Sequence, residues 1–132
     1  MKNIAMAVVV RDGKVLVQKR FRHGQGMVFE FPGGSVDPGE SGSQAAIREL
    51  WEEAGLEDLQ LLGIHQALNN FGGEIYYVVL NAGQDDEPKM VDAERQQTFY
   101  WLEPSAIPLD DFYRADIEFI EKHLSRFTSQ RR

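Results

Sequence analysis

A helix with both of its ends written into the sequence constrains this chain most. Ser41, followed three residues later by Gln44, is a capping-box start. Gly55, just past the last apolar residue, is a left-handed stop signal. The helix therefore covers roughly residues 42–54. At about 100° per residue, Ala46, Ile47, Leu50 and Ala54 share one face, and Glu49, Glu52 and Glu53 share another. The apolar face needs a layer to lie on, and the flanking sequence supplies strands.

Ile4 to Val10 is an apolar run that ends at the turn Arg11-Asp12-Gly13. It is too short to span a membrane and lacks a small-residue cleavage site. It reads as a buried strand, and the expected location is cytoplasmic. Asp12-Gly13 joins it to a second strand, Lys14 to Arg20, as a hairpin. In that strand Val15 and Val17 point one way, Leu16 and Gln18 the other. Residues 21–27 read as a flexible loop, and Val28 to Phe31 as a short strand stopping at Pro32-Gly33-Gly34. Leu59 to Leu68 and Glu74 to Leu80 are further strands, split by the turn Asn69-Asn70-Phe71-Gly72-Gly73. Residues 83–97 are polar loop, and Phe99 to Leu102 is a last strand. Asp111 to Leu124 reads as an amphipathic helix through Phe112, Ile117, Phe119, Ile120 and Leu124, with residues 128–132 frayed. There is no internal repeat and no linker. Mixed strands with two helices predict an α/β sandwich.

Glu49 and Glu53 stand one helical turn apart, about 6 Å along the axis. On an exposed helix three such glutamates are only a solvated acidic face, costing about 0.2–0.5 kcal/mol per like-charge pair. In an enclosed site the repulsion grows several-fold, and a cation is needed to hold the cluster together. An all-oxygen donor set suits Mg²⁺ or Mn²⁺ rather than zinc. Gly33-Gly34 is either a plain turn or a place where backbone approaches a ligand closely, with the Gly33 carbonyl available to the same cation. Composition narrows the chemistry further. The absence of cysteine excludes disulfides, zinc–cysteine sites and cysteine nucleophiles. A net charge of -7 argues against a footprint on duplex nucleic acid. A small polyphosphate is still compatible, provided metal ions supply positive charge locally.

Gly34, Glu40, Arg48, Glu49, Leu50, Glu52, Glu53, Gly55 and Leu56 fill every specified position of the pattern G-x5-E-x7-R-E-U-x-E-E-x-G-U, with U aliphatic. This stretch resembles the Nudix box of the Nudix (MutT-like) hydrolases, and the order of strands and helices extends the resemblance over nearly the whole chain. The resemblance implies one Nudix hydrolase domain over residues 1–132, folded as an α/β/α sandwich with a mixed β-sheet. It implies Mg²⁺-dependent hydrolysis of a nucleoside diphosphate linked to a further group. The partner is then a small-molecule nucleotide, with no duplex nucleic acid and no membrane, and the protein a monomer or homodimer. By the same resemblance, Glu52, Glu53 and the Gly33 carbonyl are metal ligands, and Glu49 is a further ligand or the general base. Arg48 braces the glutamates, Glu40 orders the loop that begins at Gly34 or binds a second metal, and Leu50 and Leu56 are core. Glu94, upstream of Trp101, is a candidate for a further acidic ligand, against a solvated loop residue.

The substrate is less legible. Lys19, Arg20 and Arg22 lie near the metal loop in such a sandwich and are candidates for holding distal phosphates, against exposed surface cations. Phe31, in the aromatic strand before the box, is a candidate substrate contact. Asp116 falls where related nucleotide-sanitising enzymes place an asparagine that reads the base. Ionised, it accepts hydrogen bonds only; the plain alternative is a carboxylate favoured by a helix start. A nucleoside triphosphate, ordinary or oxidised, is the leading expectation. ADP-ribose, nucleotide sugars and dinucleoside polyphosphates are alternatives; residues 70–74 lack the proline or tyrosine expected for ADP-ribose and diadenosine substrates. A non-catalytic binding module is expected to have a degenerate box and an attached DNA-binding segment, for which the chain offers no room. His23, His65 and His123 carry no clear signal; Trp51 reads as a helix flank, and of Tyr76 and Tyr77 one reads as core and the other as a pocket residue.

Overall fold

A computed structural model describes residues 2–69 and 72–128. Asn70 and Phe71 of the expected turn, and 129–132 of the expected frayed end, lie outside the described residues. Seven strands form one mixed sheet: β1 (Ile4–Arg11), β2 (Lys14–Arg22), β3 (Gly26–Glu30), β4 (Gly33–Ser35), β5 (Gln60–Leu68), β6 (Glu74–Asn81) and β7 (Thr98–Leu102). The helices are α1 (Gly42–Ala54), α2 (Arg114–Lys122) and α3 (Ser125–Thr128). The sheet order is β3-β2-β1-β6-β5, with β4 joined to β1 and β7 to β2.

β1 is buried on both faces, which explains its unbroken apolar run. Ala5, Ala7 and Val9 pack with Ala45, Ala46, Leu50 and Ala54 of α1. Val8 and Val10 pack on the other side with Phe119 and Ile120 of α2, together with Val15 and Val17 of β2. The expected α/β/α sandwich is therefore what the chain forms. The small residues of β1 and α1 are fully buried, so helix and sheet approach closely. Both helix-end readings hold: the Ser41 side chain accepts from the Gln44 N–H, Gln44 bonds back to Ser41, and Gly55 sits at φ 71°.

A split in the sheet positions the site. β1 and β2 pair only at Val10↔Val15 and Arg11↔Lys14 before they diverge. β6 runs parallel along β1 from Ile4↔Ile75 to Val10↔Asn81. On the other edge of β1, β4 fills the gap, pairing Ile4↔Ser35, Ala5↔Gly34 and Met6↔Gly33. Gly33-Gly34 is thus a strand under α1 rather than an open turn.

Three expectations change. Residues 21–27 are not a flexible loop: β2 runs on to Arg22 and β3 starts at Gly26, because Phe21↔Met27 and Arg22↔Gly26 continue the ladder around a tight His23-Gly24-Gln25 turn. The last helix starts at Arg114 rather than Asp111, because Leu109–Asp111 closes a 3₁₀ turn and the Asp111 carboxylate accepts the Phe29 N–H instead of capping a helix. It also breaks after Lys122, and α3 continues separately. Finally, Ile47 is 44 % exposed, whereas Glu53 is only 2 % exposed. The buried face of α1 is rotated toward the glutamates, so the acidic and apolar faces overlap at Glu53.

Candidate functional site

Arg48 is the organiser of the site. Its Nε and Nη2 donate to Glu40 Oε2 at 2.7 Å and Oε1 at 3.0 Å, a bidentate pair. Nη2 also donates to the Ser35 carbonyl at 3.1 Å, and Nη1 to Glu49 Oε2 and Glu52 Oε1, both at 3.2 Å. One guanidinium therefore binds the end of β4, the loop carboxylate and two helix glutamates. Its carboxylate partners, Glu40 first, raise the Arg48 pKa, so its charge is fixed. Glu40 also accepts the Asp37 N–H at 2.9 Å, and these bonds hold its carboxyl below the usual range. Glu40 thus ties down the loop between β4 and α1.

Glu53 occupies the opposite environment. It is buried and accepts from Gln18 Nε2 at 3.1 Å, and the nearest cation is Arg95 Nη2 at 3.8 Å. Burial, and then a hydrogen bond shared with Glu49, push its pKa up to about 8. Gln18 is fully buried, and its amide also donates to Glu30 Oε1 at 3.1 Å while accepting from Gln97 Nε2 at 2.9 Å. These two glutamines were missed in the sequence. Their signal is the alternation of β2, which turns Gln18, a polar residue, toward the α1 side together with Leu16.

Glu49 lies against Gly34. A Cβ on Gly34 would stand 2.4 Å from Glu49 Oε2, and one on Gly33 would stand 2.3 Å from the Ala5 carbonyl oxygen. These glycines are required for space; neither has a positive φ. Among the described residues no three carboxylates or histidines converge into a metal cage by side chains alone. Glu52 is exposed and accepts from Arg48, the same guanidinium that holds Glu49, and Glu94 lines a cleft with Arg20 and Arg95. The donor set of Glu49 and Glu53 nonetheless fits a hard divalent cation. Two carboxyl groups are held in contact, one of them buried, and the Glu53 pKa stays raised although Arg48 stands 3.2 Å from Glu49 and Arg95 3.8 Å from Glu53.

Two clefts flank these carboxylates. The first, of about 600 Å³, runs from Gly33 and Gly34 past Phe31 and Glu30 to Tyr113 and Asp116. Phe31 is 2 % exposed and packs edge-to-face on Phe112 at 5.3 Å, so it is mainly core with one edge on the cleft. Asp116 is buried and accepts from the Tyr77 hydroxyl at 2.5 Å. Burial raises its pKa in spite of that bond. In the structure Asp116 is the acceptor, and its position in the first turn of α2 is the helix-start placement that the plain alternative describes. The second cleft, of about 560 Å³, is lined by Arg20, Arg22, His23, Glu94 and Arg95 among others. Arg22 lies on both clefts and is paired with Glu30 at 2.8 and 2.9 Å. Lys19 stands over the Phe29 ring at 5.3 Å. Tyr77 is core, and Tyr76 bonds Glu74 at 2.5 Å. His65 and His123 stack on each other at 4.0 Å, remote from either cleft lining. Trp51 is exposed on the helix flank. No helix among the described residues is long and apolar enough to cross a membrane.

Comparison with known proteins places this geometry. The family model of the NUDIX domain matches residues 1–123. A CTP pyrophosphohydrolase of Escherichia coli K12 is 32% identical over 129 residues, covering 95% of this chain and 93% of the relative. The crystal structure of a MutT NUDIX hydrolase from Burkholderia pseudomallei superposes with a TM-score of 0.67 at 28% identity, covering 92% of this chain and 97% of the other. A C. elegans Ap4A hydrolase superposes with a TM-score of 0.75 over 98% of both chains. At 21% identity it shares the fold alone.

Proposed function

The chain belongs to the Nudix family and is a hydrolase acting on pyrophosphate bonds; from that premise we propose that residues 1–132 form a single-domain cytoplasmic enzyme that converts water and a nucleoside triphosphate, ordinary or oxidised, into the monophosphate and pyrophosphate, with Mg²⁺ as its metal and Mn²⁺ as a substitute. The observation that carries this reading is the single cleft that joins Gly33-Gly34, beside Glu49, to the buried Asp116. Its volume is in the range of small-molecule sites. The name of the Escherichia coli relative makes CTP the first triphosphate to try.

In this reading Glu52, Glu53 and the Gly33 carbonyl hold the metal, and Glu49 is a further ligand or the base that removes a proton from the attacking water. Glu94 is a candidate for an additional ligand from the loop. A bound metal supplies charge neutralisation at the bridging phosphate oxygens and a lowered pKa for an attached water. Arg48 keeps Glu49 and Glu52 aimed by charge-assisted hydrogen bonds. Asp116 contacts the base, and the Tyr77 hydroxyl fixes its orientation. Arg20 and Arg22 face the polyphosphate.

A panel of nucleoside triphosphates, ADP-ribose, nucleotide sugars and dinucleoside polyphosphates, read by phosphate and pyrophosphate detection with Mg²⁺, tests this. The expected result is pyrophosphate and monophosphate from at least one triphosphate at a kcat/KM well above that for the other classes. Turnover of ADP-ribose or a nucleotide sugar with triphosphates inert would overturn it.

A further inference from the structure

We propose that Arg95, with Arg20, grips the terminal phosphate of a bound triphosphate and so selects triphosphates over substrates whose diphosphate ends in another group. The proposal builds on the triphosphate reading above. The Nε atoms of Arg20 and Arg95 are both buried and donate to no acceptor among the described residues. A donor without an acceptor is costly, and both side chains line one cleft, so an anion entering it meets two guanidinium groups.

The local charges point the same way. Arg20 has its pKa lowered, first by burial and then by the charges of Arg95 and Arg22. The nearby anions offset these charges only in part: Glu30 and Glu53 act to raise the Arg20 pKa, yet it stays lowered. Glu30 is held by Arg22 at 2.8 and 2.9 Å, and the Asp92 carboxylate accepts the Glu94 N–H at 3.0 Å. Glu53 lies 3.8 Å from Arg95 Nη2, beyond hydrogen-bond distance. Glu94 is exposed at the rim. Two planar guanidinium forks over one cleft suit the several oxygens of a terminal phosphate, which a nucleotide sugar or ADP-ribose lacks.

The loop that carries Arg95 is fixed in place. Thr98 pairs with Lys19, so the 3₁₀ turn Ala93–Arg95 lies beside the end of β2 where Arg20 stands. Gln97 Nε2 donates to Gln18 Oε1 at 2.9 Å and anchors the loop to the same amide that holds Glu53. Arg22 and Gln25 line both the cleft at the Gly33-Gly34 strand and the arginine cleft.

Isothermal titration of the full chain with inorganic tripolyphosphate, metal removed by chelator, tests the grip without turnover. Arg95→Ala is expected to weaken binding by about tenfold to a hundredfold, and Arg95→Lys by less, because a lysine keeps the charge and loses the fork. In kinetics, Arg95→Ala is expected to raise KM for the triphosphate by a similar factor, and to lower kcat/KM for the triphosphate by clearly more than that for a nucleotide sugar. Equal losses on both substrate classes, or unchanged tripolyphosphate binding, overturn the proposal. If Arg95→Ala fails to fold, the Arg95→Lys titration is read in its place, and full affinity there with an unchanged KM overturns it. If no triphosphate is hydrolysed by the wild type but tripolyphosphate binding still depends on Arg95, the grip stands and the substrate reading fails.

Discussion

Replacing Glu53 by glutamine is expected to lower the proposed metal-dependent release of pyrophosphate by about 10³-fold or more, the equivalent of several kcal/mol of lost charge stabilisation, and to leave the chain folded. The fold survives because the amide keeps the side-chain volume in a position only 2 % exposed and can still accept from Gln18 Nε2. The same variant reports on the electrostatics of the metal-free protein. Burial and the contact with Glu49 push the Glu53 pKa up to about 8, above its ordinary 4.5. Between those two values the native state holds a proton that the unfolded chain has released. Stability of the metal-free wild type therefore falls as pH rises from about 4.5 to 8. Glu40 acts in a separate window: its pKa is lowered, so its contribution is complete above the ordinary carboxylate range and is lost only in acid. Thermal melts across that range are expected to show a steeper decline in wild type than in Glu53→Gln, where Asp116 and His65, whose pKa values are also shifted, still titrate. Wild-type turnover in the variant contradicts the metal assignment, and an unchanged melting profile contradicts the electrostatic one.

Gly34→Ala separates positioning from folding. Its Cβ would stand 2.4 Å from Glu49 Oε2 and 2.6 Å from the carboxyl carbon, so the glutamate side chain must move. A displacement of about 1 Å at a reacting group costs roughly 10²-fold in rate, and that is the loss expected in kcat. The obstruction is the far end of a side chain, so the melting temperature changes little. Gly33→Ala is the contrasting control. There the Cβ would meet the Ala5 carbonyl oxygen at 2.3 Å, which is backbone of the central strand. Overpacking of that kind costs about 1–3 kcal/mol, and the melting temperature is expected to drop. A Gly34→Ala enzyme with full kcat would show that the place of Glu49 against the glycine is unimportant.

The sequence made some of this legible and hid the rest for identifiable reasons. The helix from Gly42 to Ala54 was readable from its caps because capping is local chemistry between residues three or four apart. The layer order was readable because β1 is apolar on both faces. The hairpin from Arg22 to Gly26 was not, because His-Gly-Gln-Gly looks like loop until the cross-strand pairs Phe21↔Met27 and Arg22↔Gly26 are known. The apolar arc of α1 was placed too far toward Ile47, because periodicity marks where apolar side chains lie and not where a buried carboxylate is accepted. Within the site, the residues of the box were readable as a pattern. Their division of labour came only in outline, from the resemblance, with Arg48 bracing the glutamates and Glu40 ordering the loop; the burial of Glu53 on the sheet side is a tertiary arrangement. Gln18, Gln97 and Arg95 were legible only after β2 and β7 were paired, because they meet across 79 residues of sequence in the case of Gln18 and Gln97.

The proposed divalent-metal site stands on the overlap of the acidic and apolar faces of α1 at Glu53. Titration of Mn²⁺ into the protein, followed by loss of the free-ion electron paramagnetic resonance signal, tests this directly and needs no substrate. The wild type is expected to bind at least one Mn²⁺, with Mg²⁺ competing, and Glu53→Gln to weaken that binding by tenfold or more. Equal Mn²⁺ affinity in the two proteins would contradict it.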